Sequence, residues 1–340
     1  MTTTRDRTAI RRHPRKRKPI LLAAGLVLQE LFWLVSRVVD RGRYSPKHFD
    51  VNEFDLPLER LPAAFDGYRI IHLSDIHMGT WMNRERLEGV VELVLEEKPD
   101  LVAITGDFVS YTLDVSLDEL AEVLARLHAP DGVYAVRGNH DCWTDPDRVS
   151  AMLGEAGIVE LRNDFIRIER AGQRLYLAGV DDVYDGRADL EAVITRLPED
   201  GAAILLAHEP DFADEAAGTG RFDLQLSGHS HGGQLNFPVV GPLYLPQLAK
   251  KYVRGLYRVG AMHLYVNRGL GTTALQLRVR CRPEIAVIAL RSGLTRRPGQ
   301  DGTAAGGMAD RPDGWESSYS ASFGDCAFPR PDEKTQSRTL

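Results

Sequence analysis

The sequence predicts an α/β fold, and three observations carry that prediction. Strand-length apolar runs alternate with segments of helical spacing from about residue 69 to residue 136. Polar and ionisable residues gather directly after those runs, as they do at the carboxyl ends of strands in an α/β sheet. Hydrophobic residues make up 43% of the 340-residue chain and charged residues 26%, the balance of a globular protein with apolar mass for a core. That composition excludes a wholly disordered, collagen-like or polytopic membrane chain.

Residues 69–74 form the first apolar run and read as a strand. Residues 83–97 place Leu87, Val90, Val91, Val94 and Leu95 at helical spacing, and Lys98-Pro99 stops them. Residues 101–105 read as a buried strand, 116–128 as a helix and 132–136 as a third strand. Strands alternating with helices imply parallel pairing under a helical cover. Later runs at 175–178, 203–207, 224–227, 263–266 and 284–290 are separated more by loops, so the second half reads as richer in sheet, with some antiparallel pairing. No internal repeat is visible, and the body spans about residues 50–291.

The two ends differ from this body. Residues 1–18 carry eight Arg or Lys against Asp6, a charge of +7, which leaves −13 on the rest of a chain whose net charge is −6. An apolar stretch within residues 19–40 follows, interrupted by Gln29-Glu30 and ending near Trp33 and Val35. A basic head before an apolar segment has the order of an export signal or an N-terminal anchor. No small-residue cleavage site follows Val35 and Arg11-Arg12 stands far from the apolar run, so an uncleaved anchor helix is the expectation. Glu30 is costly at mid-bilayer, which leaves two arrangements. A spanning helix would put the body outside the cytoplasm, and an interfacial helix would hold it on the cytoplasmic face of the inner membrane. Residues 292–340 are rich in Gly, Pro, Ser, Asp and Arg and read as a disordered tail. Three scattered cysteines make neither a disulfide framework nor a thiolate zinc site.

The chemistry collects after the strands, in Ser74-Asp75-Ile76-His77, Gly106-Asp107, Gly138-Asn139-His140-Asp141, Ala207-His208-Glu209 and Gly228-His229-Ser230-His231-Gly232-Gly233. Seven donors thereby converge: Asp75, His77, Asp107, Asn139, His208, His229 and His231. Seven exceed one tetrahedral zinc and suit two divalent cations sharing a carboxylate, manganese first, with iron, zinc or magnesium as alternatives. Gly138, Gly228, Gly232 and Gly233 are expected to bring backbone close to the ions. His13, His48 and His128 lie outside the cluster and read as surface residues, and His72 and His263 as packed strand residues.

In this order the blocks resemble those of the calcineurin-like metallophosphoesterase superfamily, over about residues 68–291. Gly232-Gly233-Gln234, residues 264–271 and Arg282-Pro283-Glu284-Ile285 are similar to its bacterial membrane-associated or exported branch. The resemblance implies a four-layer α/β/β/α sandwich and a two-metal phosphoesterase. Asp75, His77 and His231 would hold one metal, Asn139, His208 and His229 the other, and Asp107 would bridge them. His140 would face the leaving-group oxygen as general acid. Many members carry an Asp three residues after the bridging Asp to orient that histidine; Ser110 stands there instead, so that either Asp141 or another carboxylate takes the task or His140 is the weaker acid.

The chemistry is coherent on its own terms. A metal pair ~3.5–4 Å apart activates a hydroxide and clamps phosphoryl oxygens, and a positioned acid adds ~10²–10⁴-fold. The substrate is expected to be a phosphoester or pyrophosphate. Some members of the wider superfamily cleave the pyrophosphate of UDP-diacylglucosamine, and the apolar, proline-rich residues 235–246 suit a lipid-linked substrate or the bilayer. A catalytically silent metal-binding module would lack ligands, and none is missing. A nuclease would want a basic groove, which the acidic body does not offer, so no nucleic-acid partner is expected.

Overall fold

The strand-length runs pair into two six-stranded sheets. The computed structural model describes residues 49–79, 81–110 and 117–293. The basic head 1–18, the apolar segment 19–40, and all but the first two residues of the 292–340 tail lie outside the described residues. Among the described residues no helix is long and apolar enough to cross a membrane, so nothing described supports the expected anchor.

In chain order the elements are β1 (Asp50–Leu58), β2 (Arg69–Leu73), α1 (Arg84–Glu96), β3 (Leu101–Thr105), α2 (Leu117–Leu124), β4 (Val133–Val136), α3 (Asn139–Thr144), α4 (Pro146–Glu155) and β5 (Val159–Glu160). There follow β6 (Asp164–Arg170), β7 (Gln173–Gly179), α5 (Leu190–Ile194), β8 (Ala202–Leu206), α6 (Ala213–Gly218) and β9 (Leu224–Ser227). A short hairpin, β10 (Asn236–Phe237) with β11 (Gly241–Pro242), precedes β12 (Gly255–Val259), β13 (Met262–Val266) and β14 (Glu284–Ser292).

The first sheet runs β1-β14-β2-β3-β4-β5, with β2 to β5 parallel and β14 antiparallel to β2. The second runs β12-β13-β9-β8-β7-β6. The expected antiparallel pairing sits at its margins, β12 on β13 and β6 on β7, while β7, β8, β9 and β13 stay parallel.

Alternation along the strands builds the layers. In β2, Ile71 and Leu73 pack with Val90, Val91 and Val94 of α1 and with Leu120, Val149 and Met152 of α2 and α4. Ile70 points the other way, into a core shared with Leu175 and Leu177 of β7, Ile204 and Leu206 of β8 and Leu226 of β9. On the far side, Ala203 and Leu205 of β8 pack with Val193 of α5 and Ala213 and Ala216 of α6. Helices, sheet, sheet and helices are thus stacked in four layers. Asn83 caps α1 by accepting from the Arg86 N–H at 3.0 Å. The helix expected over 116–128 stops at Leu124 and winds on in turns, with Leu127 N–H donating to Leu124 O at 2.9 Å.

Candidate metal centre

Parallel strands in both sheets deliver their carboxyl ends to one place. β2 leads to Asp75 and His77, β3 to Asp107 and β4 to Asn139 and His140; β8 leads to His208 and β9 to His229 and His231. The ladder continues past the strands, since Asp75 N–H donates to Gly106 O at 2.9 Å and His77 N–H to Asp107 O at 3.0 Å. The sheets are joined here. His229 N–H donates to Asp75 Oδ1 at 3.1 Å, and Asn267 Nδ2 donates to His72 O at 2.9 Å.

The buried donors form two groups that share Asp107: Asp75, His77, Asp107 and His231, and Asp107, His208 and His229, the ligand atoms of each within 4.8 Å of one another. His77 Nε2 stands 3.3 Å from Asp107 Oδ2, and His231 Nε2 stands 3.3 Å from Asp75 Oδ1. The two Nε2 atoms face each other at 3.1 Å. His208 Nδ1 donates to Thr105 O at 2.5 Å, which fixes the tautomer and points the Nε2 lone pair to Asp107 Oδ2, 3.2 Å away. His229 Nε2 donates to Gln247 O at 2.8 Å, leaving Nδ1 as its ligand atom. The buried Oδ1 of Asn139 accepts no hydrogen bond among the described residues. Facing nitrogens, paired carboxylates and an orphaned amide oxygen fit hard or borderline divalent cations, with no thiolate among them.

Backbone conformation marks the same residues. Asp75, His77, Asp107, His229 and His231 all have left-handed φ, between 46° and 66°. Non-glycine residues held there cost of order 1–3 kcal/mol each, and such strain clusters at functional sites. Gly138 and Gly228 serve closeness instead: a Cβ on Gly138 would overlap the Asp107 carboxylate, and one on Gly228 would overlap Ser74 and Asp75. A Cβ on Gly232 would meet Arg268 and Cys281, and one on Gly233 would meet Pro242 and Asn236.

Electrostatics follow from burial. Burial opposes a charged His208, but the Asp107 carboxylate outweighs it and holds the imidazole well above its ordinary range. Burial likewise opposes ionised Asp107, and His208 and His140 overcome it and hold the carboxyl well below its usual value. A divalent cation would supply the positive charge that this proton supplies. Burial, then the neighbouring His208, pushes His229 down to about 3, and burial pushes His140 down to about 4.

His140 begins the turn after Asn139, and its N–H donates to Asp107 Oδ1 at 3.0 Å. Its ring packs edge-on to His77 at 4.8 Å and tilted against Trp143 at 5.2 Å. Asp141 is occupied elsewhere. Its Oδ2 accepts from Asp107 N at 2.9 Å and Gly138 N at 3.0 Å, and its Oδ1 from Phe108 N at 2.9 Å and Val109 N at 3.2 Å. It clamps two ligand loops together rather than orienting His140. Burial and the Asp107 charge push its carboxyl up to about 7, against the pull of those backbone donors. Ser110 Oγ lies 3.4 Å from His77 Nδ1.

Of the histidines outside the cluster, His72 is buried with Nε2 2.9 Å from Thr105 Oγ1, His263 is half-buried beside Arg258 Nη1 at 3.1 Å, and His128 is exposed. His13 and His48 lie outside the described residues. Several participants escaped the sequence reading. Arg278 donates to the carbonyls of Gly269, Gly271 and Arg268 and reaches His231 Nδ1 at 3.4 Å, so it organises the loop behind that ligand. Tyr184 stands edge-on to His229 at 6.2 Å and to Trp143 at 5.2 Å. Trp143, one helical turn beyond His140, is the one that spacing could have marked.

A buried nitrogen-and-oxygen centre for divalent cations, at the joined edges of two sheets in an α/β/β/α stack, defines the class. The chain belongs to the calcineurin-like phosphoesterase family, whose profile matches residues 68–233, the span containing all seven donors and His140. It is 36% identical over 255 residues to the uncharacterized metallophosphoesterase YkuE of Bacillus subtilis, covering 74% of this chain and 89% of that one. It is 32% identical over 247 residues to the phosphodiesterase YaeI of Escherichia coli, covering 70% and 88%. A transmembrane protein with metallophosphoesterase domain from Danio rerio is 36% identical over 259 residues, covering 72% of this chain and 57% of that relative.

Proposed function

We propose that this chain is a two-metal phosphoesterase that attacks a phosphoester, or the related anhydride, with water and releases the leaving group through His140. The observation that carries this reading is the pair of buried donor groups sharing Asp107. Asp75, His77, His231 and Asp107 would hold one cation, and Asp107, Asn139, His208 and His229 the other, with manganese the first metal to test and iron, zinc and magnesium next. The cation pair supplies charge neutralisation for phosphoryl oxygens and an acidified water.

The remaining work falls to the side chains. Thr105 O and Gln247 O hold His208 and His229 in the tautomers that offer a lone pair inward. Asp107 Oδ1, through the His140 N–H, fixes where that ring starts. Burial keeps His140 neutral at rest, and a phosphoryl anion beside the ring would favour its protonated form, which then donates to the departing oxygen. A phosphodiester is the first substrate to test, because the relative from Escherichia coli is named a phosphodiesterase.

Membrane attachment through residues 19–40 belongs to the same proposal, supported by the basic-then-apolar order and by the relative named a transmembrane protein. Protease added to intact spheroplasts would cut the body if residues 19–40 span, and would leave it whole if they lie in the inner interface.

Two variants test the chemistry. His140→Ala should keep the bound metal near wild type and lower kcat by ~10²–10⁴-fold. Asp107→Asn should lose both metal and turnover. A wild-type chain that binds no divalent metal under any supplementation refutes the assignment.

A further inference from the structure

Immediately beyond His231 the chain leaves the metal centre as the β10–β11 hairpin and returns to it at Gln247. Both feet are fixed. Asn236 Nδ2 donates to Gly232 O at 2.9 Å, Leu243 N–H to Leu235 O at 3.0 Å, and Asn236 N–H to Val279 O at 3.0 Å. At the far foot Gln247 O receives His229. Between these feet the side chains face water: Val239 is fully exposed, Tyr244 is 74% exposed and Leu243 63%, with Val240 and Phe237 also exposed. Five large apolar residues within eight consecutive positions form a patch rather than scattered singles, and such patches mark interaction surfaces.

The feet of the patch adjoin the reacting groups. Gly232, which accepts from Asn236 Nδ2, follows His231 directly in the chain, and Gln247 O receives the His229 ring. The hairpin therefore rises beside the metal centre.

Two features select the occupant. The apolar stretch ending near Val35 is separated from Phe49 by residues 36–48, at most about 45 Å when extended, so a segment suited to a bilayer is tethered close to the domain. Exposed Lys250 and Arg254 follow the hairpin, and cations beside an aliphatic and aromatic tip suit anionic headgroups.

We propose that the β10–β11 hairpin inserts its tip into a phospholipid surface and that the substrate is a phosphoester carried by a lipid in that surface. The second half rests on the phosphoesterase reading; the first does not. Val239 and Leu243 would enter the acyl boundary, with Phe237 and Tyr244 at headgroup depth, setting the metal centre against the headgroups.

The test uses the full chain. In a Cys326→Ser background, with Cys142 and Cys281 buried, Val239→Cys carries an environment-sensitive fluorophore, and Glu59→Cys, beyond the opposite strand ends, carries the control. With vesicles of phosphatidylcholine and phosphatidylglycerol bearing a doxyl quencher, the label at 239 should shift to the blue and be quenched while the label at 59 stays in water. Two labels equally in water overturn the docking surface. Val239→Ser, Val240→Ser and Leu243→Ser combined should lower turnover of vesicle-borne phosphatidyl-p-nitrophenol about tenfold or more, and leave soluble bis(p-nitrophenyl) phosphate turnover unchanged. Equal losses on both, or none on either, overturn the lipid-borne substrate. Absence of turnover on both in the unaltered chain with metal supplied refutes the phosphoesterase reading and with it the lipid-borne substrate, while the label at 239 still decides the docking surface.

Discussion

Asp141→Asn isolates the clamp that holds the β3 and β4 loops at their working separation. The carboxylate accepts four backbone N–H groups, two on each oxygen, at 2.9 to 3.2 Å. The amide keeps the shape of the side chain but turns one acceptor into a donor, so two buried N–H groups face an N–H. Each unsatisfied buried donor costs about 1–3 kcal/mol, and partial relaxation of the loops puts the sum at about 2–4 kcal/mol. For a domain of this size, about 2–4 °C per kcal/mol gives a fall in Tm of about 5–15 °C. The damage should be directional. Asp107 N and Gly138 N share one oxygen, so their separation relaxes first and Asp107 shifts relative to His208. Thermal melts by circular dichroism, with and without Mn²⁺, should be paired with metal counting by plasma mass spectrometry. A variant that melts within about 2 °C of wild type with full metal content refutes the clamp.

Other expectations follow from the same contacts. Gly138→Ala places a methyl group where the Asp107 carboxylate lies, at a φ of −107° that any residue tolerates, so the effect is steric alone. Metal content should fall and phosphoester turnover drop at least about tenfold; a fully metallated, fully active variant would contradict the close approach. His72, held down to about 3 by burial against an ordinary 6.5, binds its proton in the unfolded chain first. Stability is therefore unaffected by this group above 6.5 and is lost as pH falls from 6.5 toward 3, by about 2 kcal/mol at pH 5. Denaturant unfolding of His72→Gln should lack that part of the pH dependence, and identical profiles for the two proteins would sink the argument.

What the sequence disclosed depended on how each residue's surroundings were arranged. β3 was readable residue for residue because all five of its side chains are buried, so nothing polar interrupts the run. β1 was not. It lies at a sheet edge, carries Glu53 and Asp55 on exposed positions and Asp50 on a half-buried one, and tolerates Pro57 there because an edge strand can spare a donor. The seven donors were legible since each stands directly after a strand, where the parallel pairing must bring them together. Gln247 was invisible for the opposite reason: it contributes a main-chain carbonyl, which no residue pattern marks. Arg278 and Tyr184 sit in loops far along the chain from the groups they touch; the pairing of β13 with β9 and of β14 with β2 brings the first loop near, and the pairing of β7 with β8 and of β8 with β9 brings the second. Asp141 was seen, but its role could not be, because a carboxylate beside His140 in sequence can turn either toward that ring or back onto the main chain.

The division between strained residues and glycines has a physical logic. Asp75, His77, Asp107, His229 and His231 must present a side chain from a left-handed backbone, so glycine, the residue that adopts it without strain, is unusable there. Gly138 and Gly228 need no side chain, and their value is the missing Cβ that lets Asp107 and Asp75 press against main chain. Strain of that kind persists only where the surroundings over-determine it. Here β2, β3 and β4 are locked in register up to the residue before each turn, and the second sheet does the same for β8 and β9. Cross-sheet hydrogen bonds from His208 to Thr105 and from His229 to Asp75 then close the frame. A single sheet would supply one row of loops with a free side toward solvent, where left-handed aspartate and histidine would relax. Two stacked sheets leave no such side, and that is why donors separated by more than 150 positions can be held within a few ångströms of one another.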